Sequence, residues 1–180
     1  SSPGDVIPER RVLKRIIEQL NLEFSGQLFL IPVLWEEEPL LASETFQSQI
    51  HPPSETDIYI GIFWSRLGSP LPEDITREDG SRYMSGSEYE FEDAITSFKK
   101  NGKPDLLMYF KNAEISVPLT SREDVLNRIE QKERLEQFIR NWFMTEDGNS
   151  YTGAFHGFNE VEQLENMVLG HLRKLLEKYV

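Results

Sequence analysis

The chain has 180 residues, with 31 Asp plus Glu against 19 Lys plus Arg, so its formal net charge is −12. An acidic balance of this size works against nucleic-acid binding, which needs Lys and Arg to displace counterions from phosphates. The absence of cysteine excludes disulfides, thiolate metal sites and cysteine nucleophiles and suits a cytoplasmic location, and no apolar run approaches the roughly 18 to 20 residues of a membrane span.

With 38% hydrophobic and 11% aromatic residues the chain can fill one core, and its length fits one domain or one domain with an appendage, of which 1–180 as a single domain is the expectation. It opens with the turn cluster Ser1-Ser2-Pro3-Gly4-Asp5, the kind of segment expected between a strand and a helix, so the pattern predicts a first strand that this chain lacks. Residues 8–22 carry Leu13, Ile16, Ile17 and Leu20 at helical spacing and predict an amphipathic helix. The continuous apolar run 28–35 predicts a strand covered on both faces, and Pro32 assigns it to an edge of the sheet. Residues 57–64, β-branched and aromatic without proline, predict a central strand, and 106–110 a third. The intervening loop, 65–86, exceeds the usual connection length and is expected to act as a lid or a self-association surface.

A helix from about Ser87 is expected to bury Phe91, Ala94, Ile95 and Phe98 and to end at Asn101-Gly102, ahead of Pro104. A long helix over 123–143 carries Leu135, Phe138, Ile139 and Trp142 on one stripe, followed by the turn Asp147-Gly148-Asn149-Ser150. Residues 151–158 form a short final strand on this reading. Asn159 with Glu162 then reads as a capping box that opens a last helix bearing Val161, Leu164, Val168, Leu172, Leu175, Leu176 and Tyr179. The alternation is α/β with a mostly parallel sheet and helices on both faces. With the missing strand restored it is a five-strand doubly wound sheet of flavodoxin-like order.

In such sheets ligands bind beyond the carboxyl ends of the strands. The segments Ser1-Ser2-Pro3-Gly4-Asp5 with Glu9-Arg10, Pro32-Val33-Leu34-Trp35-Glu36, 57–68 and Ser85-Gly86-Ser87-Glu88-Tyr89-Glu90-Phe91 together resemble, in order, a TIR-like domain-of-unknown-function family. That family sits at the N-terminus of bacterial STAND-type NTPases, some of them proposed antiphage sensors. The resemblance covers about residues 1–115, and the helical part 116–180 agrees only in placement. It implies a fused NTPase or sensor region downstream, self-association, and NAD or a related nucleotide as the small-molecule partner, with NAD as substrate and no further cofactor. The Ser-Gly-Ser-x-x-Glu stretch is also similar to the Ser-Gly-Thr-x-x-Glu of nucleoside deoxyribosyltransferases, whose last Glu is the nucleophile. Carried over, that position is Glu90, which also matches the catalytic Glu of TIR domains that hydrolyse NAD. The Trp usual a few residues before it in many of them is absent here.

Cleavage of an N-glycosidic bond develops positive charge on the ribose, which a carboxylate can stabilise, attack or orient. Helical geometry sets Glu90 about 90° from the centre of the apolar stripe, Glu88 at the opposite rim and Asp93 outward. Acidic residues in a first turn also simply complement the helix dipole. Trp35 and Trp64 are candidates to stack on a base or nicotinamide ring, or to pack. Ser2 and Gly4 are candidates to present amides to a pyrophosphate, and Ser85 lies at the entrance of the next helix. Arg10, Arg11 and Arg66 have two readings, as phosphate partners or as surface ion pairs. Glu36-Glu37-Glu38 reads as a ribose or metal site, or as a solvated run. His51, His156 and His171 have no metal or triad spacing, so no metal is expected. Two other functions fit the same resemblance: a non-catalytic interaction module, and a nucleoside N-glycosidase or deoxyribosyltransferase-like enzyme.

Overall fold

Two parallel strands with aromatic residues on one face organise the molecule. The structure, a computed structural model, describes residues 1–34, 49, 51–116 and 121–180. In chain order its elements are α1 (Ile7–Glu23), a 3-10 turn (Pro53–Glu55), β1 (Ile58–Phe63), α2 (Gly86–Asn101), β2 (Asp105–Lys111), α3 (Arg122–Phe143), β3 (His156–Phe158) and α4 (Val161–Leu176). The chain divides into two compact units, one of Ser1–Asp5 with Pro52–Gly157 and the other of Val6–His51 with Phe158–Val180. The architecture is mixed α/β, compatible with a flavodoxin-like fold, and the described sheet has the order β1-β2-β3.

β1 and β2 pair in parallel, with Tyr59 opposite Leu106, Gly61 opposite Met108 and Phe63 opposite Phe110. Because side chains alternate along a strand, these three pairs share one face. That face joins Phe91 and Ala94 of α2 and Leu135, Phe138 and Phe143 of α3 in a single core cluster. Phe63 stacks on Phe110 at 5.6 Å between ring centres, and Phe91 meets Phe138 edge-on at 5.2 Å. Gly61 is required by this packing, since a Cβ there would stand 2.8 Å from both Sδ and Cε of Met108. On the outer edge of β1 the Ser1 nitrogen donates to Ile60 O (2.7 Å) and Ile62 N donates to Ser1 O (3.0 Å). This is the pattern a neighbouring parallel strand makes.

In the second unit Val12, Ile16 and Leu20 of α1 and Leu164, Val168, Leu172 and Leu176 of α4 are buried. Arg15 binds Glu165 and Arg173 binds Glu23, both through forked hydrogen bonds of 2.7 to 3.2 Å. The two pairs are eight residues apart on each helix (23 − 15 and 173 − 165), so α1 and α4 run parallel.

Several expectations are corrected. The apolar run 28–35 forms no strand over its described residues, 28–34. Phe29 and Ile31 are 73% and 79% exposed, and the Leu30 amide and carbonyl bond the Asn21 side chain instead of a ladder. Trp35 and Glu36-Glu37-Glu38 lie outside the described residues. Three described strands stand where about five were expected.

The final strand is confined to His156–Phe158, because Tyr151 is engaged in an antiparallel bridge with Met144. The capping box does not form. Glu160 is the N-cap without a side-chain bond, and Gln163, not Glu162, reaches back to accept from the Asn159 amide at 2.9 Å. Phe98 is exposed, since the buried positions of α2 are Glu88, Phe91, Ala94 and Ser97. Asp93 does not point freely outward, because it accepts from the Ser54 amide at 2.7 Å. In α1 Ile16 and Leu20 are buried as expected, but Glu9 and Val12 complete the buried stripe in place of Leu13 and Ile17.

Two predictions follow from this packing. Phe138 is fully buried among Phe63, Phe91 and Phe143, so Phe138→Ala should lower unfolding free energy by about 3 to 5 kcal/mol in denaturant titration. The Glu23 carboxyl is held below its ordinary range, chiefly by the hydrogen bond from Arg173, with slight desolvation opposing and the guanidinium charge adding. A depressed folded pKa stabilises above the unfolded pKa, and that contribution disappears as pH falls through the folded value. The melting-temperature difference between wild type and Glu23→Gln should therefore be present at neutral pH and vanish in acid, once the pH has fallen below the depressed Glu23 pKa. A difference that persisted in acid would assign the effect to packing.

Candidate functional site

The turn Ser1–Asp5 is fastened to the carboxyl end of β1. Oδ2 of Asp5 accepts from the Ser65 amide (2.9 Å) and from the Ser65 hydroxyl (2.7 Å), while Pro3 is buried. This clamp sets Gly4 and Asp5 beside Ser65 and Arg66, where they line a cleft of about 550 Å³. The opposite wall is one stripe of α3, formed by Asp124, Asn127, Arg128 and Gln131 at i, i+3, i+4 and i+7. Gln131 Oε1 accepts from the Gly68 amide at 3.3 Å and ties that wall to the segment after β1. A second cleft of about 680 Å³ shares Arg66, Asn127 and Gln131 with the first and continues to Arg122, Arg134 and Ser69. The two form one groove with Arg66 at its waist.

Two atoms of residues lining the first cleft are chemically conspicuous. Asp5 Oδ1 and Arg66 Nε are both buried without a hydrogen-bond partner, although each is a strong hydrogen-bonding group. Leaving such a group unsatisfied costs about 1 to 3 kcal/mol. Both atoms lie beneath the cleft surface, which Asp5 and Arg66 line together with Asn127 and Arg128 of α3.

The sequence-derived site residues separate in the structure. Gly4 and Arg66 line the cleft. Trp64 straps the ends of two strands together, with Nε1 donating to Ala113 O at 2.9 Å, and the Lys111 ammonium sits 4.7 Å from its ring centre. Ser85 is fully buried and caps α2, its hydroxyl accepting from the Glu88 amide at 3.1 Å. Gly68, at φ +118°, packs against Ser85 and Ser87. Ser2 is half-buried in the turn, and Arg10 is half-buried on α1 in the second unit.

Glu90 is half-buried in the second turn of α2 and is not among the residues lining the cleft. Its charge acts on the Tyr59 hydroxyl. Burial raises the pKa of that hydroxyl well above its ordinary value, the Glu90 carboxylate adds to the rise, and the neighbouring Ser1 side chain opposes it. The same five-residue turn therefore meets the Glu90 neighbourhood through Ser1 and the cleft through Gly4 and Asp5.

Sequence reasoning missed Asp5, Ser65 and the α3 stripe. The stripe's i, i+3, i+4, i+7 spacing was visible, but in a polar helix it reads as a solvated face. Among the described residues no group of three or more His, Asp or Glu is arranged to hold a metal, and no helix is long and apolar enough to cross a membrane. Comparisons with family models, with curated proteins and with solved structures find no match to this chain.

The clamp yields a direct test. Asp5→Ala leaves the Ser65 amide without its acceptor and should reduce stability by about 1 to 3 kcal/mol in denaturant titration. Asp5→Asn, which keeps an acceptor oxygen, should lose less, and equal losses would remove the clamp as the cause.

Proposed function

We propose that this chain is a TIR-like effector domain of a bacterial STAND-type immune protein that hydrolyses NAD to nicotinamide and an ADP-ribose product when the assembly oligomerises. The observation that carries the reading is the two-lobed groove beyond the carboxyl ends of β1 and β2, with a guanidinium at its waist. A dinucleotide has that form, two nucleoside halves joined by an anionic pyrophosphate, and Arg66 is the residue that would meet the pyrophosphate. The ordered motifs from Ser1 to Phe91 support the family assignment, and the Ser85-Gly86-Ser87 start of α2 supports Glu90 as the carboxylate that stabilises the ribosyl cation. The C–N bond breaks with its electron pair going to the pyridine nitrogen, so nicotinamide leaves as a neutral base, and water adds to the ribosyl carbon and gives up its proton to the carboxylate or to solvent.

A second reading, a non-catalytic nucleotide-responsive interaction module, is favoured by one observation: Glu90 stands outside the set of residues lining the groove. One experiment separates the two. Nicotinamide release is followed in the oligomerised full-length protein and in its Glu90→Ala and Arg66→Ala forms. On the proposed reading Glu90→Ala lowers kcat by about 100-fold or more, while Arg66→Ala raises KM about tenfold with a smaller effect on kcat. Equal turnover in wild type and Glu90→Ala would overturn the catalytic assignment. Nucleotide binding without any release would establish the second reading.

A further inference from the structure

The connection from β1 to α2 does not wander over the surface. Leu67 is fully buried, and the Gly86 amide donates to Ser69 O at 3.2 Å, so the connection is pinned at its base. Between these points residues 70–84 form a hairpin. Thr76 and Arg82 make an antiparallel bridge, the Arg77 amide donates to Ser81 O, and the Gly80 amide donates to Arg77 O, both at 2.9 Å. Gly80 takes φ +80° at the tip, and Asp79 Oδ1 accepts from the Ser81 amide at 2.8 Å. None of residues 69–84 is fully buried, and the hairpin's apolar hold on the core cluster is Met84 at its base, itself only partly buried.

Its attachment to α2 is polar and converges on one guanidinium. Arg77 Nε donates to Glu92 Oε2 at 2.8 Å and Nη2 lies 3.3 Å from Glu88 Oε2. Nη1 donates back to Arg82 O at 2.9 Å, which ties both arms of the hairpin to the same group. The Arg77 guanidinium also lies 4.3 Å from the ring centre of Tyr83, whose ring meets Tyr89 of α2 edge-on at 5.1 Å. The Glu88 side chain is only 3% exposed, and the same Oε2 accepts from the Met84 amide at 2.7 Å. Burial disfavours the Arg77 charge, but the hydrogen bond to Glu92 and the charges of Glu88 and Glu92 outweigh it and raise its pKa.

We propose that residues 70–84 are a flap held shut on the first two turns of α2 by the Arg77 guanidinium, and that the flap opens as a unit while the sheet and α2 stay folded. Without Arg77, Glu88 is a buried carboxylate deprived of its cation, which is among the costlier arrangements in a protein interior. Apart from Met84 at its base the hairpin opposes release with no side chain packed on the core, so its opening is a route by which water reaches Glu88. Opening uncovers the Glu88, Tyr89 and Glu92 face of the helix that carries Glu90. Control of the proposed reaction by this movement rests on the reading above, whereas the flap itself does not.

The test is amide hydrogen exchange, resolved by segment, together with the rate of tryptic cleavage after Arg82, on the wild-type chain and its Arg77→Ala form without nucleotide. Exchange over 72–84 and cleavage after Arg82 should both accelerate about 10- to 100-fold, the equivalent of losing a charge-assisted contact. The amides of β1 and β2 should keep their wild-type protection. Arg77→Lys keeps the charge but not the fork and should fall between the two. Unchanged exchange in the hairpin overturns the latch, and an equal rise in β1 and β2 overturns the independent opening. If Arg77→Ala does not fold, Glu92→Ala, which leaves the Glu88 contact in place, should give the same local pattern at smaller size, and unaltered exchange there overturns the proposal. No outcome depends on whether NAD is turned over.

Discussion

Burial of the Tyr59–Phe63 and Met108–Phe110 face under α2 and α3 fixes the position of every candidate residue in the first unit. α2 is fastened through Phe91, which contacts Phe138, Trp142 and Phe143 at 5.2 to 5.4 Å between ring centres. Since Phe91 belongs to the second turn, the residues just before it, from the Ser85 cap to Glu90, have little freedom left. The buried apolar side chains that fasten α3, Leu135, Phe138 and Phe143, all lie in its far half. Its near half buries nothing, and Leu126 and Ile129 are half exposed, so that half can stand as a wall of the groove.

The same constraint explains how far the sequence could be read. Strands at 57–64 and 106–110 were legible because an apolar, β-branched run without proline suits few structures other than a buried strand. The end of α2 was legible because Gly102 occupies φ +74°, a conformation that other residues resist. The buried face of α2 was misread for a physical reason. Periodicity assumes one partner along the whole helix, but three elements cover its successive turns: the hairpin at Glu88, the core at Phe91 and Ala94, and the Pro53–Glu55 turn at Ser97, whose hydroxyl reaches Ser54 O at 3.4 Å. The buried positions therefore step by three and spiral around the helix, and Phe98 falls outside them.

For the site, residue type was more legible than role. Arg66 and Gly4 were singled out as pocket residues and do line the groove, because a strand end and a turn before a helix are topologically marked positions in any α/β sheet. Ser85 and Trp64 carry equally suggestive chemistry, but their polar atoms are committed to a helix cap and to a strand-to-strand strap. Asp5 drew no attention because an aspartate in a turn usually satisfies its own backbone. Its actual partner is 60 residues away in the chain, and no local pattern encodes that distance.

The groove combines a rigid frame with unsatisfied chemistry. The Ser1–Asp5 turn is held at one end by Ser1 on the edge of β1 and at the other by Asp5 on Ser65, so ordering it for a ligand requires little further loss of freedom. Within that frame Asp5 Oδ1 and Arg66 Nε are buried without a hydrogen-bond partner from the protein. A chain of net charge −12 repels anions at long range, but solvent screening confines that repulsion to about 10 Å at ordinary ionic strength. Local charge therefore weighs more at the groove than net charge does. Arg66 and Arg128 line the first cleft together with Asp5 and Asp124, so the charge balance at that surface is two guanidiniums against two carboxylates, far from the acidic average of the chain.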